Sequence, residues 1–362
     1  MSSGTFPPGS GQGEKELEAS AQAIGALVGL RADGPPDDER QFMRTFLVTG
    51  GAGFIGSHLA TALVERGDRV RVLDDLSTGF LSNLDHIRDR IEFLEGSVTD
   101  AEMVAAAVHG VDCIFHEAAL ASVPRSVEKP LDTNAACVTG TVTLLDAARR
   151  AGVRRLVYAG SSSAYGDQPF SSKRESDLPA PISPYGAAKL AAELYCQAFT
   201  ATYGFETVTI RYFNVFGPRQ DPGSPYSAVI PLFITAILSG RRPVIYGDGL
   251  QSRDFTYVAN VVHANLLAAD APGVAGRVFN AANGRSINLL ELLAALNRLL
   301  GTDVRPIHQP PRPGDVRESL ADIYQARKLL GYEPQVDFHE GLRRSIDYYR
   351  RLVGDKEVKT EK

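Results

Sequence analysis

From Thr45 onward, short runs rich in β-branched residues alternate with amphipathic stretches of about 10 to 20 residues, as βαβ units around a parallel sheet do. The runs predict strands at Thr45–Thr49, Arg69–Asp74, Ile91–Leu94, Cys113–His116, Arg155–Ala159 and Thr207–Arg211. Between them, apolar spacing predicts helices over Ile55–Arg66, Asp100–Val108, Gly140–Arg150 and Pro184–Tyr203. Gly67 and Gly152 follow two of these, where a left-handed C-cap favours glycine. Strands alternating with helices in this way predict an α/β fold with a doubly wound parallel sheet.

After about Asn214 the alternation loosens, and the Pro-rich segments Gly217 to Pro225 and Gln309 to Pro313 separate shorter elements. Residues 44–213 therefore read as a nucleotide-binding domain and 214–352 as mainly a smaller α/β substrate domain. Residues 1–43 read as an extension, with a helical-looking stretch from Glu14 to Leu30 between Gly-, Ser- and Pro-rich ends. It is either a flexible leader or a docking helix for a partner subunit. Residues 353–362 read as a tail.

Composition narrows the classes. Of 362 residues, 44% are hydrophobic and 22% charged, which excludes wholesale disorder and coiled-coil or fibrous architectures. The net charge of −5, from 38 basic and 43 acidic residues, comes with no basic block, so nucleic acid is not an expected partner. The apolar run from Ala21 to Leu30 falls short of the roughly 18 to 20 residues of a membrane span, so no membrane association is expected. Cys113, Cys137 and Cys196 lie far apart, with no ligand spacing to histidine, so neither a disulfide framework nor a metal site is expected, and thiols suit the cytoplasm.

The first chemical signal is Phe46-Leu-Val-Thr-Gly-Gly-Ala-Gly-Phe-Ile-Gly56, a glycine loop between a predicted strand and a predicted helix. Gly50 permits a tight turn, Gly53 the approach of backbone to a pyrophosphate, and Gly56 close packing of helix on strand. Asp74, 18 residues beyond Gly56 at the end of the second strand, can accept hydrogen bonds from an adenosine ribose and would repel a 2′-phosphate. NAD, rather than NADP, is the expected cofactor.

The second signal is Tyr185-Gly-Ala-Ala-Lys189, which puts a phenol and an ammonium on one helix face. Such a lysine, together with a cationic nicotinamide, would lower the tyrosine pKa toward the range of a general base. The preceding strand ends in Ala159-Gly-Ser-Ser-Ser-Ala-Tyr-Gly166, whose hydroxyls belong at the carboxyl end of the sheet, where ligands bind.

Together these motifs resemble the extended short-chain dehydrogenase/reductase superfamily in its nucleotide-sugar epimerase and dehydratase branch, with a Rossmann-type fold. The resemblance runs from about Thr45 to Tyr349. It implies a catalytic set of Tyr185, Lys189 and Ser161, the last four residues before Tyr165. It extends the NAD cradle to Phe54, Ile55, Asp75, Leu76, Ser77, Thr78, Gly79, Ser97, Val98, Ala118 and Ala119, with Tyr212 and Val215 bordering the nicotinamide beside Tyr185 and Lys189. Family dehydratases carry an Asp-Glu pair, and uronate decarboxylases a glutamate, where this chain has Ser162 and Ser163. What remains is 4-epimerisation by hydride transfer and one base.

For the substrate, the resemblance implies that Asn214, Arg253 and Arg312 hold a diphosphate, with Val229, Tyr246 and Asp315 in the same site. Ser319 stands where a tyrosine in hexose 4-epimerases fills space; a serine leaves room for an N-acetyl group. Ala119-Leu-Ala-Ser-Val-Pro-Arg-Ser126 is similar to a stretch in epimerases that prefer acetylated sugars, where Ser122 could reach the acetamido group or simply cap a helix. The implied reaction interconverts UDP-N-acetylglucosamine (UDP-GlcNAc) and UDP-N-acetylgalactosamine (UDP-GalNAc). UDP-glucose, UDP-glucuronate or another nucleotide sugar stays an alternative. Two positions depart from the family pattern: Ser97 replaces an aspartate that contacts adenine, and Cys137 replaces an asparagine. Ala-rich faces on Leu131–Arg150 and Pro184–Tyr203 match the helices through which family members dimerise, which implies a homodimer.

Overall fold

All six predicted strands form: β1 (Thr45–Thr49), β2 (Arg69–Asp74), β3 (Ile91–Glu95), β4 (Cys113–His116), β5 (Arg155–Ser161) and β6 (Glu206–Tyr212). A computed structural model describes residues 43–168, 172–223, 228–311 and 317–360; the stretch Glu14 to Leu30 and the two residues Arg312 and Asp315 lie outside the described residues. Three strands run further than their β-branched runs predict, because pairing rather than composition ends them. Asp74 is paired with Glu95, and Ser161 with Tyr212.

The four predicted helices are also present: α1 (Phe54–Arg66), α2 (Ala101–Val108), α3 (Gly140–Arg150) and α4 (Pro184–Tyr203). Asp100 caps α2 rather than belonging to it, accepting from the backbone N–H groups of Glu102 and Met103. Gly67 closes α1 at φ +91°, and Gly152 follows α3 at φ +74°. The stretch Leu131–Arg150 is not one regular helix. It runs Pro130–Asn134, a π turn over Ala135–Thr139, then α3, and Cys137 is buried inside the widened turn.

A seventh strand, β7 (Val278–Ala281), reaches the sheet through α5 (Val258–Asp270) and pairs with β6. Its four residues carry too little alternation to stand out in the sequence. The all-parallel order is β7-β6-β5-β4-β1-β2-β3, so the order in which the chain adds strands reverses between β1 and β4. A crevice outside the carboxyl ends of strands at such a switch point is where doubly wound sheets bind ligands.

Strand alternation builds the two layers. Phe46 and Val48 pack with Leu59 and Leu63 of α1 and Ala264 and Ala268 of α5. Leu47, between them in sequence, packs on the other face with Val104 of α2, Leu144 and Leu145 of α3, and Phe199 of α4. A separate apolar cluster around Phe216, Phe233, Phe255 and Phe338 supports the later part of the chain. There, Ser252–Asp254 pairs with Ser286–Asn288 and Glu318–Ser319, and Val244–Tyr246 with Ile307–Gln309. The last helix, Phe338–Thr360, continues through positions that read as a tail. Among the described residues, no helix is long and apolar enough to cross a membrane.

Candidate active site

The glycine loop turns from β1 into α1 at the switch point. Gly50 sits at φ +67°, and a Cβ there would lie 2.7 Å from the Ala118 nitrogen. At Gly56 a Cβ would meet the Gly50 carbonyl at 2.2 Å, so a larger residue would push the helix off the loop. No side chain caps α1, whose first N–H groups thus face the crevice in the way that suits an anion. Asp74 ends β2, its Oδ2 accepting from Ala52 N at 2.9 Å and its Oδ1 from Leu76 N at 2.8 Å. Each oxygen keeps a second lone pair for a ribose hydroxyl. Burial pushes the Asp74 carboxyl up, and these backbone donors act against it.

A cavity of about 320 Å³ brings together Gly50, Gly53, Phe54, Ile55, Gly56, Asp74, Asp75, Ser77, Thr78, Ser97, Val98, Ala118 and Ala119. Side-chain-free loop, open helix terminus and terminal carboxylate fit a dinucleotide. Leu76 and Gly79 do not line the cavity. Leu76, at φ +55°, turns its N–H onto Asp74, and Gly79 packs against the Ala52 backbone. Ser97 shares a hydrogen bond with Thr99 at 2.9 Å. Two residues the sequence reading missed also line this cleft. Arg219, at φ +66°, donates to Thr61 at 3.1 Å; Glu117, directly after β4, accepts from the Tyr212 hydroxyl at 2.6 Å.

The Ser161, Tyr185 and Lys189 set converges where β5 meets α4. Ser161 closes β5, its Oγ accepting from Ser163 N at 3.1 Å. Ser183 caps α4, accepting from Gly186 N, and Tyr185 N donates to Ser126 Oγ at 3.0 Å, so the loop before α4 and the turn at Ser126 fix the entry of the helix. Lys189 is buried, and its Nζ donates to the Ala159 carbonyl at 2.8 Å over the Tyr158 ring. In the chain alone burial pushes the Tyr185 phenol well up, Cys137 and Glu117 act in the same direction, and only the Ser161 hydroxyl pulls it down. Lys189 itself is lowered by burial, its ammonium engaged by a carbonyl instead of the phenol.

The substrate residues divide between two cavities. One of about 250 Å³ holds Ser162, Ser163, Asn214, Arg253 and Ser319, together with Lys173, Ile182 and Glu318. The other, about 580 Å³, holds Asn214, Val215, Val229, Tyr246 and Arg253, with Arg241, Arg242 and Phe255. Asn214, at φ +30°, and Arg253 line both, so they stand at the junction. Ser122 is absent from the smaller cavity. It lies in the cofactor cleft and caps Val123–Glu128, accepting from Arg125 N at 3.1 Å. Tyr212 is buried under Glu117.

The chain matches the model of the NAD dependent epimerase/dehydratase family over residues 46–282. It is similar to the UDP-glucose 4-epimerase of Mycolicibacterium smegmatis, 41% identical over 313 residues that cover 85% of this chain and 99% of that protein. Among solved structures it resembles the UDP-N-acetylglucosamine 4-epimerase of Methanobrevibacter ruminantium in complex with UDP-N-acetylmuramic acid. That match has 40% identity and a TM-score of 0.82, covering 85% of this chain and 99% of the other. It also resembles the UDP-glucose 4-epimerase of Thermus thermophilus in complex with NAD, with 36% identity and a TM-score of 0.77, covering 84% and 99%.

Proposed function

The chain belongs to the NAD dependent epimerase/dehydratase family and is an NAD-dependent nucleotide-sugar epimerase, and from that premise we propose that it interconverts UDP-GlcNAc and UDP-GalNAc. The observation that carries this substrate is Ser319. It lines the smaller cavity together with Ser162 and Ser163, and its hydroxymethyl leaves room beside the sugar for an acetamido group. The M. ruminantium likeness supports the same reading. UDP-glucose is the second reading, favoured by the name of the M. smegmatis relative.

In this reading residues 44–213 carry the cofactor and 214–352 mainly shape the substrate site. Gly50, Gly53, the N-terminus of α1 and Asp74 hold the dinucleotide. When bound, NAD supplies the hydride acceptor and donor for C4 and brings a cationic ring into the site. Tyr185 takes the proton of the 4-hydroxyl, which Ser161 orients, and returns it to the oxygen after the 4-keto sugar has turned over. Lys189, held under the helix by Ala159, supplies positive charge that favours the phenolate. Asn214 and Arg253 anchor the diphosphate between the two cavities, with Arg312 and Asp315 assigned to the same site. With Ser162 and Ser163 in place of acidic residues, elimination lacks its extra acid and base.

Exposed Leu131, Leu194 and Tyr195 support the homodimer reading, and three buried free thiols suit the cytoplasm. An NMR time course of the purified protein with UDP-GlcNAc, and separately with UDP-glucose, without added NAD, tests the function. UDP-GalNAc forming from the first faster than UDP-galactose from the second is the expected result. The reverse preference overturns the substrate assignment.

A further inference from the structure

Ser319 lines the smaller cavity from a strand only two residues long. Glu318 and Ser319 pair in parallel with Ser252 and Arg253, and Ser252 N donates to the Arg317 carbonyl at 3.0 Å. The residues that follow are held by Asp254. It stands next to Arg253, is fully buried, and lines neither substrate cavity, whereas Arg253 lines both. Its Oδ2 accepts from Ala321 N, two residues past Ser319, at 3.3 Å and from Gly284 N at 3.0 Å; its Oδ1 accepts from Asn283 N at 3.0 Å. Asn283 is itself fixed, its side-chain amide donating to the Phe255 carbonyl at 2.7 Å and accepting from Asn260 of α5 at 3.0 Å. One carboxylate thus ties the segment that carries Ser319 to the loop after β7 and, through Asn283, to α5. On the opposite edge of that segment, Lys173 N donates to the Leu320 carbonyl at 2.8 Å and Asp322 N to the Lys173 carbonyl at 2.9 Å.

We propose that Asp254 is a positioning residue for sugar discrimination, holding the Ser319 segment against Arg253 so that the room beside the sugar stays fixed. It touches no substrate and acts through Ser319. Both oxygens of a carboxylate accept, so one side chain satisfies three N–H groups from two segments. An amide of the same size has one accepting oxygen, and its NH2 would face a backbone N–H. Either Asn283, or Gly284 and Ala321 together, would then lose the acceptor. A pocket wall free to shift admits both sugars and separates them less. The role rests on Ser319 facing the sugar under the function proposed above.

The test compares the NAD-loaded wild type with Asp254→Asn at about pH 8, above the value of about 7 to which burial pushes this carboxyl, so that the wild-type group is ionised. The ratio of kcat/KM for UDP-GlcNAc over UDP-glucose is expected to move about five-fold toward one, with NAD content and the calorimetric Kd of UDP unchanged. UDP reaches the diphosphate residues without entering the sugar pocket. Weakened UDP binding would therefore mean that the whole site has collapsed, and it overturns the proposal. Ala321→Pro removes one of the three donors and leaves both bonds to Lys173, so a smaller move of the ratio is expected. It also serves if Asp254→Asn fails to fold. A ratio that stays at the wild-type value in whichever variant folds overturns the proposal. A wild type that prefers UDP-glucose overturns the substrate assignment instead, and the change between variant and wild type still reads the role of Asp254.

Discussion

The cofactor cleft and the substrate cavities are built by different means. In the cleft the backbone does most of the recognition: a left-handed glycine, a Gly56 where a Cβ would lie only 2.2 Å from the Gly50 carbonyl, uncapped N–H groups and one carboxylate fixed by two backbone donors. Its glycines fall within seven residues, from 50 to 56. The substrate cavities use side chains from distant segments, with Ser162, Asn214, Arg253 and Ser319 meeting at one place. A backbone-built site tolerates little substitution, because the constraint is steric. A site built from side chains of separate segments can change size by one residue, which is how one fold serves several sugars.

The largest expected effect lies where the two regions meet. Tyr185→Phe is expected to reduce turnover about a thousand-fold while NAD stays bound, measured by NMR turnover and cofactor content. Loss of NAD in that variant would instead place Tyr185 among the cofactor contacts and blur the division. Gly56→Ala should act on the cleft alone, lowering stability by roughly 1–3 kcal/mol through the clash with Gly50 and releasing NAD. Thermal melting with and without NAD reads this, and a Gly56→Ala variant that melts like the wild type and keeps its NAD response would break the steric account.

Ser319→Tyr should leave both Tm and NAD content alone, and lower the ratio of kcat/KM for UDP-GlcNAc over UDP-glucose roughly ten- to hundred-fold. An unchanged ratio would remove Ser319 from the sugar pocket. The smallest effect is on acid stability. His116 is buried between Thr49 at 2.7 Å and Thr141 at 2.9 Å, and burial lowers it to about 3; burial first, then Arg219, lowers His58 to about 4. The folded state resists protonation that the unfolded state accepts at about 6.5, so stability is full above that pH and falls as the pH drops toward 4. A Tm that is constant between pH 7 and pH 5 would contradict it.

Much of the cleft is legible because its residues are adjacent in sequence and their reason is local. Gly50, Gly56, Asp74 and the β1 and α1 boundaries need only the geometry of one βαβ unit. The Tyr185 and Lys189 spacing is equally local, since a helix places i and i+4 on one face. Where Lys189 Nζ points is not local, and it is the Ala159 carbonyl at the end of the neighbouring strand that takes it. Ser122 could be read two ways, and the helix that begins after it resolved its hydroxyl as a cap.

The sequence by itself determined the alternating layers, the six long-range parallel partners that carry their own β-branched runs, and the glycine cradle. Periodicity and φ requirements are properties of short segments. Only the tertiary structure decided that β7 joins the sheet after an intervening helix, that Asn214 and Arg253 lie between two cavities, and that Glu117 accepts from the Tyr212 hydroxyl. Those relations join residues 39 to 95 positions apart in the chain, and burial, which sets their protonation, is a property of the packed whole.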